Sequence, residues 1–77
     1  MSKLIVSEIL PTNPTLSLKF TEGTKLDLTK SSNYVQLPSG TTLDRPDDAV
    51  QGEIRYNTTI KKVEYYDGLT WQQMTEI

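Results

Sequence analysis

Alanine, the best helix former, occurs once in this 77-residue sequence, at Ala49. No window repeats apolar residues at the three-to-four-residue spacing of an amphipathic helix over three turns. Thr, Val, Ile and Tyr are spread along the whole chain instead, which suits extended structure. The chain is therefore expected to be all-β. One short helical turn fits the pattern, with Asp44 as its cap, Pro46 just inside, Asp47 and Asp48 in the first turn and Gly52 closing it.

The first half reads as extended segments broken by turns. Leu4 to Ile9 is a candidate strand, ended by Pro11-Thr12-Asn13-Pro14, where two prolines oppose both helix and ladder. Leu16, Leu18 and Phe20 then alternate with Ser17 and Lys19, and Glu22-Gly23 supplies a turn. Leu26 and Leu28 alternate with Asp27 and Thr29, and Val35 and Leu37 flank Gln36. Gly23-Thr24-Lys25-Leu26-Asp27 returns as Gly40-Thr41-Thr42-Leu43-Asp44. Each copy reads as a glycine turn followed by a strand with an inward leucine, a unit that three chains wound together would complete. Two unrelated hairpin turns account for the same strings.

The second half is more readable. Gly52 to Asn57 is a strand with Ile54 and Tyr56 on one face, and Thr58-Thr59-Ile60-Lys61 connects it to Lys62-Val63-Glu64-Tyr65-Tyr66. Asp67-Gly68 is a type I′ hairpin signal, since both central positions of that turn need positive φ. Leu69 to Met74 forms the third strand of an antiparallel meander. Ile54, Tyr56, Val63, Tyr65 and Trp71 are the candidates for its apolar face, with Tyr65 inside and Tyr66 outside. The expected organisation is an extended β arm over residues 1–36 and a small β-meander knob over 37–77, together one domain.

So small a chain buries a modest share of its surface, and such domains lean on disulfides, metals or association. Cysteine and histidine are both absent, which leaves association with other chains as the expected support. The net charge is −2, and Lys3, Lys19, Lys25 and Lys30 are scattered, so there is no basic stripe for nucleic acid. No apolar stretch approaches the ~20 residues of a membrane span. The run Leu4-Ile5-Val6 lacks the length and cleavage site of a signal peptide, so synthesis in the cytoplasm is expected.

Four stretches carry a specific resemblance. They are Leu37-Pro38-Ser39-Gly40-Thr41-Thr42 with Arg45-Pro46, Gly52-Glu53-Ile54-Arg55-Tyr56-Asn57-Thr58, Glu64-Tyr65-Tyr66-Asp67-Gly68, and Trp71. In this order they resemble a module of tailed-bacteriophage virion proteins, found in fibre-like and accessory structural proteins of marine phages. The likeness covers about residues 37 to 74. It implies a non-catalytic virion component, intertwined as a homotrimer and contacting the major capsid protein or other virion proteins. Fibre proteins of this kind usually continue into a shaft or receptor-binding tip, whereas this sequence stops soon after Trp71. That favours a capsid decoration (cement) or head-fibre protein. The alternatives are a tail-fibre or baseplate component and a module that binds host glycans.

The remaining candidate sites read as structural. Arg45 and Arg55 are the only arginines, and Asp44, Asp47, Asp48, Glu53, Glu64 and Asp67 lie near them in sequence or across the hairpin. A planar guanidinium can clamp a carboxylate or loop carbonyls through two parallel hydrogen bonds, and in a trimer could tie chains together. Asp44-Arg45-Pro46-Asp47-Asp48 lacks the alternating ligands of a calcium loop, so it is expected to be a solvated turn with no metal. Tyr65, Tyr66 and Trp71 suit a core or an interface, and Tyr66 alone is placed for contact with another chain or a glycan. Asn57-Thr58-Thr59 matches a glycosylation sequon but falls at a strand end. Without histidine no Ser-His triad is possible. No cofactor-binding motif is present, and an enzyme is not expected.

Overall fold

The computed structural model describes residues 5–10, 12 and 17–75. The chain divides into two compact units, Met1–Ser32 and Asn33–Ile77. All regular structure among the described residues, apart from one 3-10 turn, is strand. The protein is all-β, as the scarcity of helix formers indicates.

The first unit holds turns and extended chain, with no strand among its described residues. The Thr24 amide donates to the Thr21 carbonyl at 3.0 Å, and Gly23 lies inside this turn at φ 85°. An L side chain adopts that conformation only at a cost. Asp27 Oδ1 accepts both the amide and the hydroxyl of Thr29, at 2.9 and 2.7 Å. This local hydrogen bonding turns the chain without a ladder. The expected short strands at residues 5–9, 18–20 and 26–28 are not formed. Leu18, Phe20, Leu26 and Leu28 are all exposed, so their alternation has no partner strand to work against. Leu4, Leu16 and most of the two-proline break lie outside the described residues.

The second unit contains a four-stranded mixed sheet: β1 (Ser39–Gly40), β2 (Ile54–Asn57), β3 (Lys62–Tyr66) and β4 (Trp71–Gln73), in that spatial order. The strands β2, β3 and β4 pair antiparallel, with Arg55 opposite Glu64, Tyr56 opposite Val63 and Tyr66 opposite Trp71. The two-residue β1 runs parallel to β2. The Tyr56 amide donates to the Pro38 carbonyl at 2.9 Å, and the Thr58 amide to the Gly40 carbonyl at 2.8 Å. A parallel pair needs a long crossover, and residues 41–53 supply it. That segment starts with the 3-10 turn Thr42–Asp44.

Three local expectations are corrected. The helical turn precedes Pro46 instead of containing it. Proline pushes the residue before it out of the helical region, and Arg45 is extended, at φ −58° and ψ 132°. Asp44 therefore ends the turn, and its carboxylate reaches back to accept the Thr41 amide at 2.8 Å. The β3–β4 connection is also not a two-residue type I′ turn. It spans Asp67–Thr70, because Asp67 Oδ1 accepts the amides of Leu69 and Thr70, each at 2.8 Å, while Gly68 alone takes positive φ, at 104°. Finally, the two pentapeptide strings have unlike conformations. Gly23 sits in a turn, whereas Gly40 is in β1 and Leu43 is 94% exposed in the 3-10 turn.

The sheet's two faces are also not as alternation suggests. Among the described residues no hydrophobic side chain is buried, and the buried side chains are Arg55, Asn57 and Glu64. Ile54, Tyr56, Val63 and Tyr65 share the opposite face, where Ile54 is 42% and Tyr65 38% exposed while Tyr56 and Val63 are half-buried. Trp71 does not belong with them. Cross-strand partners share a face, and pairing with Tyr66 puts Trp71 on the side of Arg55 and Glu64. Tyr66 is half-buried and Tyr65 exposed, the reverse of the expected placement.

Candidate functional site

Burial of three polar side chains in a sheet this small requires that every donor and acceptor be met. Glu64, at the middle of β3, receives four donors. Arg45 Nε donates to Oε2 at 3.1 Å and Nη2 to Oε1 at 2.7 Å, a two-pronged clamp. Arg55 Nη1 donates to Oε2 at 2.7 Å, and Asn57 Nδ2 to Oε1 at 3.2 Å. Each oxygen thus takes two bonds, which fills the lone-pair positions of a carboxylate. No buried side-chain N or O atom among the described residues lacks a partner.

Each member arrives from a different element. Arg55 and Asn57 are two apart on β2 and so share a face. The register brings Glu64 opposite Arg55. The crossover carries Arg45 over that face, where its guanidinium also lies 6.0 Å from the centre of the Trp71 ring. Tyr66 packs on the same ring, with centroids 5.2 Å apart and planes inclined at 58°. Arg55 Nη2 donates to the Thr41 carbonyl at 3.1 Å, so the arginine ties the crossover to the sheet. The clamping of a carboxylate and a loop carbonyl expected of the two arginines occurs within one chain. Glu64, out of the six neighbouring acids, is the carboxylate they share.

Asn57 completes the cluster and was not singled out for it. Its amide Nδ2 also donates to Thr42 Oγ1 at 3.0 Å, while Oδ1 accepts the Thr59 amide at 2.9 Å. The side chain thereby caps the β2–β3 loop and anchors the 3-10 turn at once. Being wholly buried, it is closed to glycosylation in the folded chain. The sequence signal for this role is an Asn two residues before the turn amide it caps, the same relation as Asp67 to Leu69.

The electrostatics follow from the geometry. The hydrogen bonds from Arg45, aided by those from Arg55 and Asn57, outweigh burial and hold the Glu64 carboxyl at about 2, well below its ordinary value of 4.5. A group so strongly ionised and without solvent access is an acceptor only. It does not serve as a general acid or base near neutral pH. Asp44 is also held low, first by the Thr41 amide, and Asp67 by the amides of Thr70 and Leu69. Asp47 and Asp48 lie exposed in a turn. Among the described residues no group of three His, Cys, Asp or Glu side chains is placed to hold a metal ion.

Two kinds of surface surround this cluster. The lining of an open, mainly apolar groove of about 560 Å³ includes Pro38, Pro46, Trp71, Arg55 and Asp44. On the other side of the sheet lies the partly exposed apolar face of Ile54, Tyr56, Val63 and Tyr65. No protein-family model, curated protein or solved structure matches this chain.

Proposed function

We propose that this protein is a structural component of a tailed-bacteriophage virion: a homotrimeric capsid decoration or head-fibre protein bound to the outer surface of the particle. The observation that carries its need for partners is its surface. Large side chains including Leu18, Phe20, Leu26, Val35, Leu43 and Leu69 are all more than half exposed. Burying them between subunits stabilises the assembled state by mass action.

The virion assignment rests on the resemblance over residues 37–74, and several residues of its strings meet in one local network. Arg45, Arg55 and Glu64 all belong to one hydrogen-bonded cluster, and Gly40, Gly52 and Gly68 sit where a side chain would clash or need positive φ. The strings therefore describe a self-consistent folding unit instead of a reactive centre, which suits a module used to build particles. Tail-fibre and baseplate positions use the same kind of unit. A glycan platform is less well supported, since the Tyr66 hydroxyl is engaged with the Leu69 carbonyl and the Trp71 ring is flanked by Tyr66 and Arg45.

The test is the native mass of the purified full chain, followed by its addition to phage capsids stripped of accessory proteins. The expected result is three times the 8.7 kDa chain mass, saturable binding to the capsid, and a raised capsid disruption temperature. A monomer that ignores capsids would sink the reading. Binding confined to isolated tails would move it to the tail.

A further inference from the structure

We infer that Asp67-Gly68 is a covalent modification site, where aspartate turns into isoaspartate when the β3–β4 loop opens and is shielded from doing so while the loop is closed. The pair is the one place in the sequence where Asp or Asn precedes Gly. The chemistry is intramolecular and needs only water. The Gly68 amide nitrogen attacks Asp67 Cγ, a C–N bond forms, and one carboxyl oxygen leaves as water, closing a five-membered imide. Water then opens the ring. Attack at Cγ restores aspartate, whereas attack at the former main-chain carbonyl leaves the chain running through the side-chain carbons, as isoaspartate. Glycine in second place favours closure, because no side chain shields its nitrogen.

The folded loop opposes that closure. One carboxyl oxygen of Asp67 has to leave, and both are engaged. Oδ1 accepts the amides of Leu69 and Thr70, each at 2.8 Å, and Oδ2 accepts Gln72 Nε2 at 3.1 Å. The Asp67 amide in turn donates to the Thr70 carbonyl at 3.1 Å, which fastens the loop a second time. The Thr70 amide first, and then that of Leu69, also hold the carboxyl below its ordinary range, and an ionised carboxylate gives up an oxygen poorly. Asp67 and Gly68 are both exposed, so the shielding comes from bonding and not from exclusion of water. Once formed, isoaspartate works against the fold. It adds a carbon to the main chain and moves the carboxylate onto Cα, so the Leu69 and Thr70 amides lose their acceptor and the spacing that pairs Tyr66 with Trp71 is gone. Chains that open and react are thereby withdrawn from refolding, a covalent route to irreversible loss.

The experiment incubates the full-length chain at neutral pH in native buffer and in guanidinium chloride. Isoaspartate at position 67 is read by methyl transfer from an isoaspartyl methyltransferase and by mass spectrometry of the peptide that contains it, while Trp71 emission reports the fold. Isoaspartate is expected to form at least about tenfold faster in denaturant, because the native reaction waits for the loop to open. Gln72→Ala removes the Oδ2 donor from an exposed side chain. It should raise the native rate about twofold, the scale of one weak hydrogen bond, with Trp71 emission and the denatured rate unchanged. Equal rates in the two buffers, or no isoaspartate in the denatured chain, overturn the proposal. An unchanged native rate in Gln72→Ala overturns the part given to Oδ2, and the wild-type comparison stands without that variant. The native rate should also be the same at every protein concentration. A rate that falls as concentration rises would give the shielding to assembly and overturn its assignment to the loop, whereas failure of the assembly reading leaves this test untouched.

Discussion

The two faces of the sheet invert the usual arrangement of a soluble protein. One lies under the crossover and holds two arginines, a glutamate and an asparagine; the other is apolar and partly exposed. In most small domains apolar burial supplies the driving force and polar groups stay at the rim. Here directional bonds determine which loop lies on which strand, while the apolar set stays partly exposed. A buried ion cluster contributes little net stability compared with a hydrophobic one of equal volume. What it does provide is intolerance of alternatives, because a wrong register would leave Glu64 without its four donors. On the reading proposed above, one face specifies the fold and the other serves association.

The largest blow to that division is Glu64→Ala. Removing the carboxylate strands the Arg55 guanidinium and the Asn57 amide in a site without solvent. Breaking a buried ion pair in this way costs about 3–5 kcal/mol, comparable with all the stability a core of this size provides. The second unit should lose its structure, read as a red-shifted Trp71 emission and a flattened denaturation curve. A wild-type midpoint would mean that the polar face does not hold the fold.

Acid gives a milder version of the same experiment. The folded-state carboxyl of Glu64, at about 2, lies below its unfolded value of 4.5. Its contribution is therefore complete above pH 4.5 and is lost as pH falls toward 2, an effect of about 3 kcal/mol across the window. Asp27, Asp44 and Asp67 shift in the same direction, so wild type alone does not isolate Glu64. Denaturant titrations of wild type and Glu64→Gln at pH 6 and pH 3 do. The variant should be less stable at pH 6, and the gap between the two should narrow at pH 3. A constant gap would place the acid sensitivity elsewhere.

How far these faces could be read from the sequence depended on the range of the interaction. Lys62–Tyr66 shows itself through local alternation ended by Asp67-Gly68, and the structure forms β3 over that span. The clamping role of the arginines was readable because only two exist among many acids. The choice of Glu64 was not, since Arg45 meets it across 19 positions through a crossover whose path no local pattern reveals. Alternation separates the residues of β2 and β3 into two sets correctly, but it does not say which set is inside. The apolar set is the natural choice, and a polar set that satisfies itself reverses it. The strand β1 left no signal, being two residues long and parallel to a strand that starts fourteen residues later. In the first unit the alternation of Leu18 with Phe20 and of Leu26 with Leu28 is real, yet without a pairing partner among the described residues it yields no strand.

Gly40→Ala should act on the polar face through crowding alone. A Cβ there would lie 2.6 Å from Arg55 Nη2 and 2.9 Å from Asp44 Oδ2, closer than such atoms tolerate. The guanidinium must move, and the bond to the Thr41 carbonyl goes with it. We expect a loss of about 1–3 kcal/mol, the ordinary cost of overpacking a closed site. A double-mutant cycle with Arg55→Lys sharpens the assignment, since the slimmer ammonium does not reach the same position and the two losses should fall short of additive. Additive losses would mean that Gly40 matters for its backbone and not for the space it leaves to Arg55.

The smallest effect is expected on the apolar face, and it is the one that best tests the division. If that face serves association and not the fold, Tyr65→Lys should change the stability of a dissociated chain by no more than about 0.5 kcal/mol, as exposed substitutions usually do. The difference should appear only with concentration. An assembly that binds the folded chain stabilises it by mass action, so the denaturation midpoint of wild type should climb as protein concentration rises through the association range. That of Tyr65→Lys should stay level. The two curves should converge on dilution, because both then report the same polar cluster. Midpoints that differ by the same amount at every concentration would show Tyr65 stabilising its own chain, and the apolar face would then belong to the fold after all.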